Sequence, residues 1–245
     1  SVILFLMKRG SFMELNTNKK TNYRWIVCGF LWVAVAVNYV DRTALSAATP
    51  IIMKEFNIDG TEMGIIMAAF FWAYALLQVP MGYIADKFGQ RIVYSIAVAW
   101  WSIAQMCIAV CSSLFGFVTA RLFLGVGEAG SYPCNVGVVS KWFPKHERSR
   151  ATAIFDSASK FGNAFAMPVV VGLITMFTWH APFLIFGAIG IVWAILWWFF
   201  YNDPRKSKYT NKAEVAYIEQ DGSAVIEDVN CKSTMKWYQL LKYRN

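Results

Sequence analysis

The chain has 245 residues, of which 57% are hydrophobic and only 16% charged, with a formal charge of +8 at neutral pH. A soluble domain carries about 25% charged residues, so this composition excludes an ordinary soluble fold. The charges cluster between long apolar runs of about 20 residues, the length a helix needs to cross a hydrocarbon core of about 30 Å, whereas a β-barrel would need short alternating segments.

In chain order, residues 1–23 form a basic segment with Lys8, Arg9, Lys19 and Lys20. It does not read as a signal peptide, because its apolar stretch at 2–7 is short and its positive charges follow rather than precede it. Met13 is a candidate natural start. Six spans are then expected at 25–45, 62–84, 92–112, 114–140, 151–177 and 181–201. The link between the second and third carries Lys87 and Arg91, and that between the fourth and fifth carries Lys141, Lys145, Arg148 and Arg150. Arg205, Lys206, Lys208 and Lys212 follow the sixth, while the remaining links hold only Lys54. Cytoplasmic loops concentrate Lys and Arg, so both ends of the chain are placed in the cytoplasm of a cell. The positive charge is a topology signal, and no nucleic-acid partner is expected. Residues 202–245 read as a cytoplasmic loop, opening with the turn Asn202-Asp203-Pro204 and holding a short amphipathic stretch at 213–218.

Cys28, Cys107, Cys111 and Cys134 sit inside apolar spans and read as small hydrophobes. His146 and His180 are too few and too far apart to make a site. No metal or cofactor is expected, and an intramembrane enzyme would need a nucleophile with a base, which the sequence does not offer.

Ionisable residues inside a span are costly and face a bundle interior or a watery cavity. Asp41 and Arg42 lie in the first span. Arg121 and Glu128 lie in the fourth, seven residues apart on nearly one face. Asp156 and Lys160 lie in the fifth at a spacing that allows them to pair. The first and fourth spans, corresponding members of two three-helix units, thus both carry an arginine with an acid, as inverted repeats do in transporters. With both acids ionised the two arginines are neutralised. Protonating Asp41 and Glu128 leaves the arginines exposed, and a carboxylate can then bind their planar forks. Ala158, Gly162 and Ala166, like Gly125, Gly127 and Gly130, read as close helix packing. Pro133 is expected to kink the fourth span.

The segment Gly82-Tyr-Ile-Ala-Asp86-Lys-Phe-Gly89-Gln-Arg91 resembles the signature loop of the major facilitator superfamily. Asn38-Tyr-Val-Asp-Arg42, with Arg121 through Glu128 to Pro133, is similar to its anion:cation symporter family. Residues 141–148 and 213–218 are similar to that family as well, so the resemblance runs from about 24 to 222. It implies the N-terminal half of an all-α, twelve-helix fold built from 3+3 inverted repeats. The implied activity is proton-coupled import of a small organic anion, a sugar acid such as a hexuronate, hexonate or hexarate. It further implies that Tyr39, Arg42, Tyr74 and Arg121 contact substrate, that Asp41 and Glu128 carry protons, and that Gly82, Asp86, Gly89 and Arg91 belong to a cytoplasmic gate. Many members have a substrate-binding glutamine where this chain has Ser159, followed by Lys160; the departure leaves the identity of the anion open. The implied partners are the lipid bilayer, protons and a second six-helix half. The alternative is a membrane sensor that binds the anion without moving it.

Overall fold

The computed structural model describes residues 20–220, so Lys8, Arg9, Met13 and Lys19 lie outside the described residues. Among the described residues, the regular structure is entirely helical: α1 (Tyr23–Phe56), α2 (Gly60–Phe88), α3 (Gln90–Ile108), α4 (Leu114–Glu128), α5 (Ser131–Trp142), α6 (Lys145–Met176), α7 (His180–Phe200) and α8 (Lys212–Glu219). α1, α2, α3, α6 and α7 are long and apolar enough to cross a membrane. The fourth expected span is divided between α4 and α5. Pro133 has no N–H to give to the Ala129 carbonyl, yet Ala129 and Gly130 keep right-handed helical dihedrals (φ −56°, ψ −27° and φ −79°, ψ −16°). The rod therefore continues through a local break in its hydrogen bonding.

Other boundaries also move. α1 runs to Phe56 rather than ending near 45, because Leu45, Ala48 and Ile52 continue its buried stripe at helical spacing. It ends on Asn57, whose left-handed φ of 52° closes the helix as a C-cap. α2 begins with a capping box, in which Asp59 Oδ1 accepts from the Glu62 amide and Glu62 Oε2 accepts from the Asp59 amide. It passes directly into α3 through Gly89, whose φ of +85° disfavours any residue with a Cβ.

The packing repeats itself. α1 lies mainly against α6, α2 against the first half of the fourth span, α4, and α3 against α7. Exchanging the first three spans for the last three maps the first contact onto the second and the third onto itself, the signature of an inverted repeat. Each of the two related contacts is closed at a glycine. A Cβ on Gly125 would lie 2.5 Å from the Phe70 carbonyl oxygen on α2, and one on Gly162 would lie 2.9 Å from Tyr39 Cβ on α1. The expectation of close packing at the small-residue stripes is met.

The basic links gather at one end of the bundle. Arg91 donates to the Trp198 carbonyl from Nε and Nη2 (2.9 and 2.7 Å) and to Asn202 Oδ1 from Nη1 (2.8 Å). Lys141 approaches Asp203 at 3.6 Å, and Arg24 pairs with both Glu147 and Glu214. At the opposite end, Phe56 sits edge-on to Phe117 and Trp179, and Trp179 Nε1 donates to Glu55 Oε2 at 2.7 Å.

Candidate functional site

The site forms where α1, α2, α4 and α6 meet. Arg42 and Asp41 are neighbours on α1 and so point about 100° apart. Arg42 reaches the edge of the bundle with 23% of its side chain exposed, whereas Asp41 turns fully inward. On α4, Arg121 and Glu128 are two turns apart and both buried. Arg42 Nε donates to Glu128 Oε2 at 2.9 Å, joining α1 to α4. The Arg42 guanidinium also lies 5.2 Å from the Tyr39 ring, 4.9 Å from Phe70 and 4.8 Å from Tyr74. These rings hold the charge by cation–π attraction and restrict its rotation. The guanidinium of Arg121 lies 5.9 Å from the same Phe70.

Both arginines border a cavity of about 380 Å³, whose walls include Phe70, Ser46, Asn163 and Met167. That volume falls within the range of small-molecule pockets, and its two cations suit an anion. Beneath it lies a set of buried polar atoms without hydrogen-bond partners among the described residues. The acceptors are both carboxylate oxygens of Asp41, Glu128 Oε1 and Gln105 Oε1; the donors are Asn38 Nδ2 and Arg121 Nε. Gln105 belongs to the same group, since its Nε2 donates to the Asp41 carbonyl at 3.3 Å.

The structure thus brings together Tyr39, Asp41, Arg42, Tyr74, Arg121 and Glu128. Two other candidates differ. Ser159 does not line the cavity: it is buried in the packing face of α6, and its hydroxyl donates to the Asp156 carbonyl of its own helix at 2.7 Å. Asn163, one turn further on, borders the cavity instead. Lys160 is exposed, on one stripe with Asp156, Asn163 and Met167. The Asp156–Lys160 pair permitted by their spacing is not among the ion pairs of the described residues. The turn at Gly82, Asp86, Gly89 and Arg91 stands apart, at the basic end. Gly82 faces Pro133, Asp86 is exposed, and Arg91 binds the C-terminal end of α7 rather than Asp86. There the guanidinium satisfies a carbonyl that the helix end leaves free.

Sequence reasoning missed Phe70, Asn163 and Gln105. Phe70 stands in an apolar run and looks like any lipid-facing ring. Asn163 and Gln105 did carry a signal, as amides inside apolar spans seek partners across helices.

The sequence profile of the Major Facilitator Superfamily matches residues 31–244. The chain is 35% identical to a D-galactonate transporter of Escherichia coli O6:H1, over 90% of this chain and 51% of that protein. It is 33% identical to a probable galactarate/D-glucarate transporter of Bacillus subtilis, over 91% of this chain and 50% of the other. It is also 33% identical to the hexuronate transporter of Escherichia coli K12, over 90% and 51% respectively. The chain therefore spans about half the length of the curated relatives it matches. Among solved structures, a bacterial homologue of the human lysosomal transporter Spinster, inward-facing and occupied, superposes with a TM-score of 0.67 at 24% identity, covering 76% of this chain and 46% of that one. That likeness speaks to the fold, and it agrees with the inverted packing described above. Taken with the profile match, the repeated helix packing makes this chain a member of the Major Facilitator Superfamily.

Proposed function

We propose that the chain is the anion- and proton-binding half of a proton-coupled symporter importing a sugar acid, of the hexuronate, hexonate or hexarate class. In this reading residues 24–201 are a six-span transmembrane unit with both flanks on the cytoplasmic side of the cell membrane, and 202–245 lead into a second six-helix half. The observation that carries the reading is the pairing of two buried acids with two arginines beside one cavity. The names of the relatives support the class of anion.

The chemistry is an exchange of counter-ions. Glu128 occupies Arg42 when ionised, and the four charges of the cluster cancel. Adding protons to Glu128 and Asp41 leaves two uncompensated guanidinium groups at the cavity wall, a state that a carboxylate relieves. The bidentate fork of arginine orients the anion, Tyr39, Phe70 and Tyr74 hold Arg42 in place, and Asn163 offers an amide to a sugar hydroxyl. Lys160 flanks the same stripe and adds positive charge. Releasing the anion allows the acids to lose their protons, which couples the two movements. Gly82, Asp86, Gly89 and Arg91 form the turn of the cytoplasmic gate, with Arg91 anchoring it to α7.

The test uses the full-length protein in proteoliposomes, with D-galactonate, D-glucarate and D-galacturonate as probes. At least one is expected to accumulate against its gradient, faster at lower external pH, and to stop accumulating when a protonophore is added. Arg42→Gln and Arg121→Gln should each reduce binding by two orders of magnitude or more, since a charge-assisted bidentate contact contributes about 3 kcal/mol, and lysine should restore little of it. Accumulation that ignores the protonophore would refute proton coupling. Undiminished binding by both glutamine variants would remove the arginines from the site.

A further inference from the structure

Gln105 is fully buried in the last turn of α3, where its neighbours apart from Ser102 are apolar. Its Nε2 donates to the backbone carbonyl of Asp41 across the interface between α3 and α1. A carbonyl only accepts, so this contact fixes which way round the amide sits. Oε1 is thereby left as a buried acceptor with no donor, next to the residue whose two carboxylate oxygens also have none. In the group formed by Asn38, Asp41, Gln105, Arg121 and Glu128, the unpartnered acceptors are Asp41 Oδ1 and Oδ2, Gln105 Oε1 and Glu128 Oε1, against the donors Asn38 Nδ2 and Arg121 Nε. Gln105 Oε1 and an ionised Asp41 carboxylate are both acceptors and cannot bond one another. A proton on Asp41 changes this, because a carboxylic acid donates where a carboxylate only accepts.

We propose that Gln105 is a positioning residue of the proton site: it holds the Asp41 peptide with its amide nitrogen and accepts the hydrogen bond of the protonated Asp41 carboxyl with its amide oxygen. The proposal rests on the reading of Asp41 as a proton carrier. The charged groups facing Asp41 are Arg42 on its own helix and Glu128 and Arg121 on α4. Of the other elements packed on α1, α2 contributes Tyr74 beside Arg42. α6 carries Asp156 and Lys160 on its exposed stripe, α5 has Lys141 at its far end, and α7 has only His180 at its first residue. The amide of Gln105 is thus a neutral acceptor in a ring of charges. It favours the acid form without adding a charge that would compete for the anion.

The test measures binding of the tightest of the three probes to purified full-length protein as a function of pH. Gln105→Met keeps the shape and removes both the amide donor and the amide acceptor. Its binding profile should move toward acid by about half a unit to one unit, the equivalent of one net hydrogen bond, while binding at the acid plateau is unchanged. Gln105→Asn, which keeps an amide on a shorter stem, should move it less. In an Asp41→Asn background, where that carboxyl can no longer ionise, Gln105→Met should cause no further shift. A role in helix packing alone predicts weaker binding or a lower melting temperature in both backgrounds with the midpoint unmoved, and that outcome overturns the proposal. So does a shift that persists in the Asp41→Asn background. If Asp41→Asn by itself leaves the wild-type profile intact, the assignment of Asp41 fails, and the role of Gln105 falls with it. If Asp41→Asn flattens the profile while both Gln105 variants leave it in place, only the inference about Gln105 fails.

Discussion

Asp41 and Arg42 are adjacent in sequence and opposite in situation. One is sealed in the bundle, its carboxylate without a hydrogen-bond partner among the described residues, and the other reaches the cavity wall with Glu128 in its grasp. The rotation of about 100° per residue decides this. It also separates the roles we propose, with the inward acid holding a proton and the outward arginine holding an anion. Asp41→Asn and Glu128→Gln mimic the protonated state. Each variant should bind the probe at neutral pH better than wild type does there, and the double variant as well as wild type does at acid pH, yet each should lose uphill uptake driven by a pH gradient. Exchange of external for internal substrate should persist, because it need not release the proton. Uphill uptake retained in both variants would clear these acids and direct attention to Asp156, which is exposed on the α6 stripe that borders the cavity. The sequence made all four charges conspicuous by placing them in apolar runs. It gave no sign that Ser159 faces into the packing of α6, since that depends on which side of the helix meets α1.

At the scale of elements, α8 is the piece the sequence placed but did not explain. Residues 213–218 read as an amphipathic stretch beyond the membrane unit, and the structure lays α8 against the start of α1. Glu214 is fully buried there. It accepts from the amides of Tyr23 and Arg24 at 3.2 Å each and from the Thr21 hydroxyl, and it pairs with Arg24 Nη1 at 3.1 Å. The first amides of a helix have no partner within the helix, and a carboxylate there meets both the free donors and the positive end of the helix dipole. Glu147 completes the group, accepting from Arg24 Nε at 2.9 Å and from the Tyr217 hydroxyl at 2.8 Å. The α8 helix therefore clasps the ends of α1 and α6, the pair that closes at Gly162. Glu214→Ala should lower stability by about 2–4 kcal/mol, because it leaves a buried guanidinium half-compensated and α1 uncapped. Thermal unfolding in detergent is the measurement, with Glu214→Gln expected to fall between. An unchanged transition in the alanine variant would mean that α8 rests on the bundle without holding it.

For the whole molecule, the gathering of basic links at one end and apolar or acidic links at the other motivates the orientation we propose. In a background without native cysteines, an impermeant thiol reagent added outside cells should label a cysteine at Gly60 and spare one at Lys87. Both positions are exposed, so accessibility is matched and only the side of the membrane differs; the reverse pattern would invert the assignment. The sequence by itself determined that this chain is built from membrane-crossing helices, roughly where the second, third, fifth and sixth of them lie, and which charges are out of place among them. Those are local properties, written in hydropathy over about 20 residues and in the distribution of Lys and Arg. Only the tertiary structure decided that Arg42 meets Glu128 across 86 residues of chain, that Phe70 and Asn163 share a cavity with both arginines, and that Gln105 reaches Asp41. Such meetings depend on how each helix is rotated and how closely it approaches its neighbour. Glycines at Gly125 and Gly162 set those quantities by removing a side chain, and the pairing between distant segments that results has no local signature in the sequence.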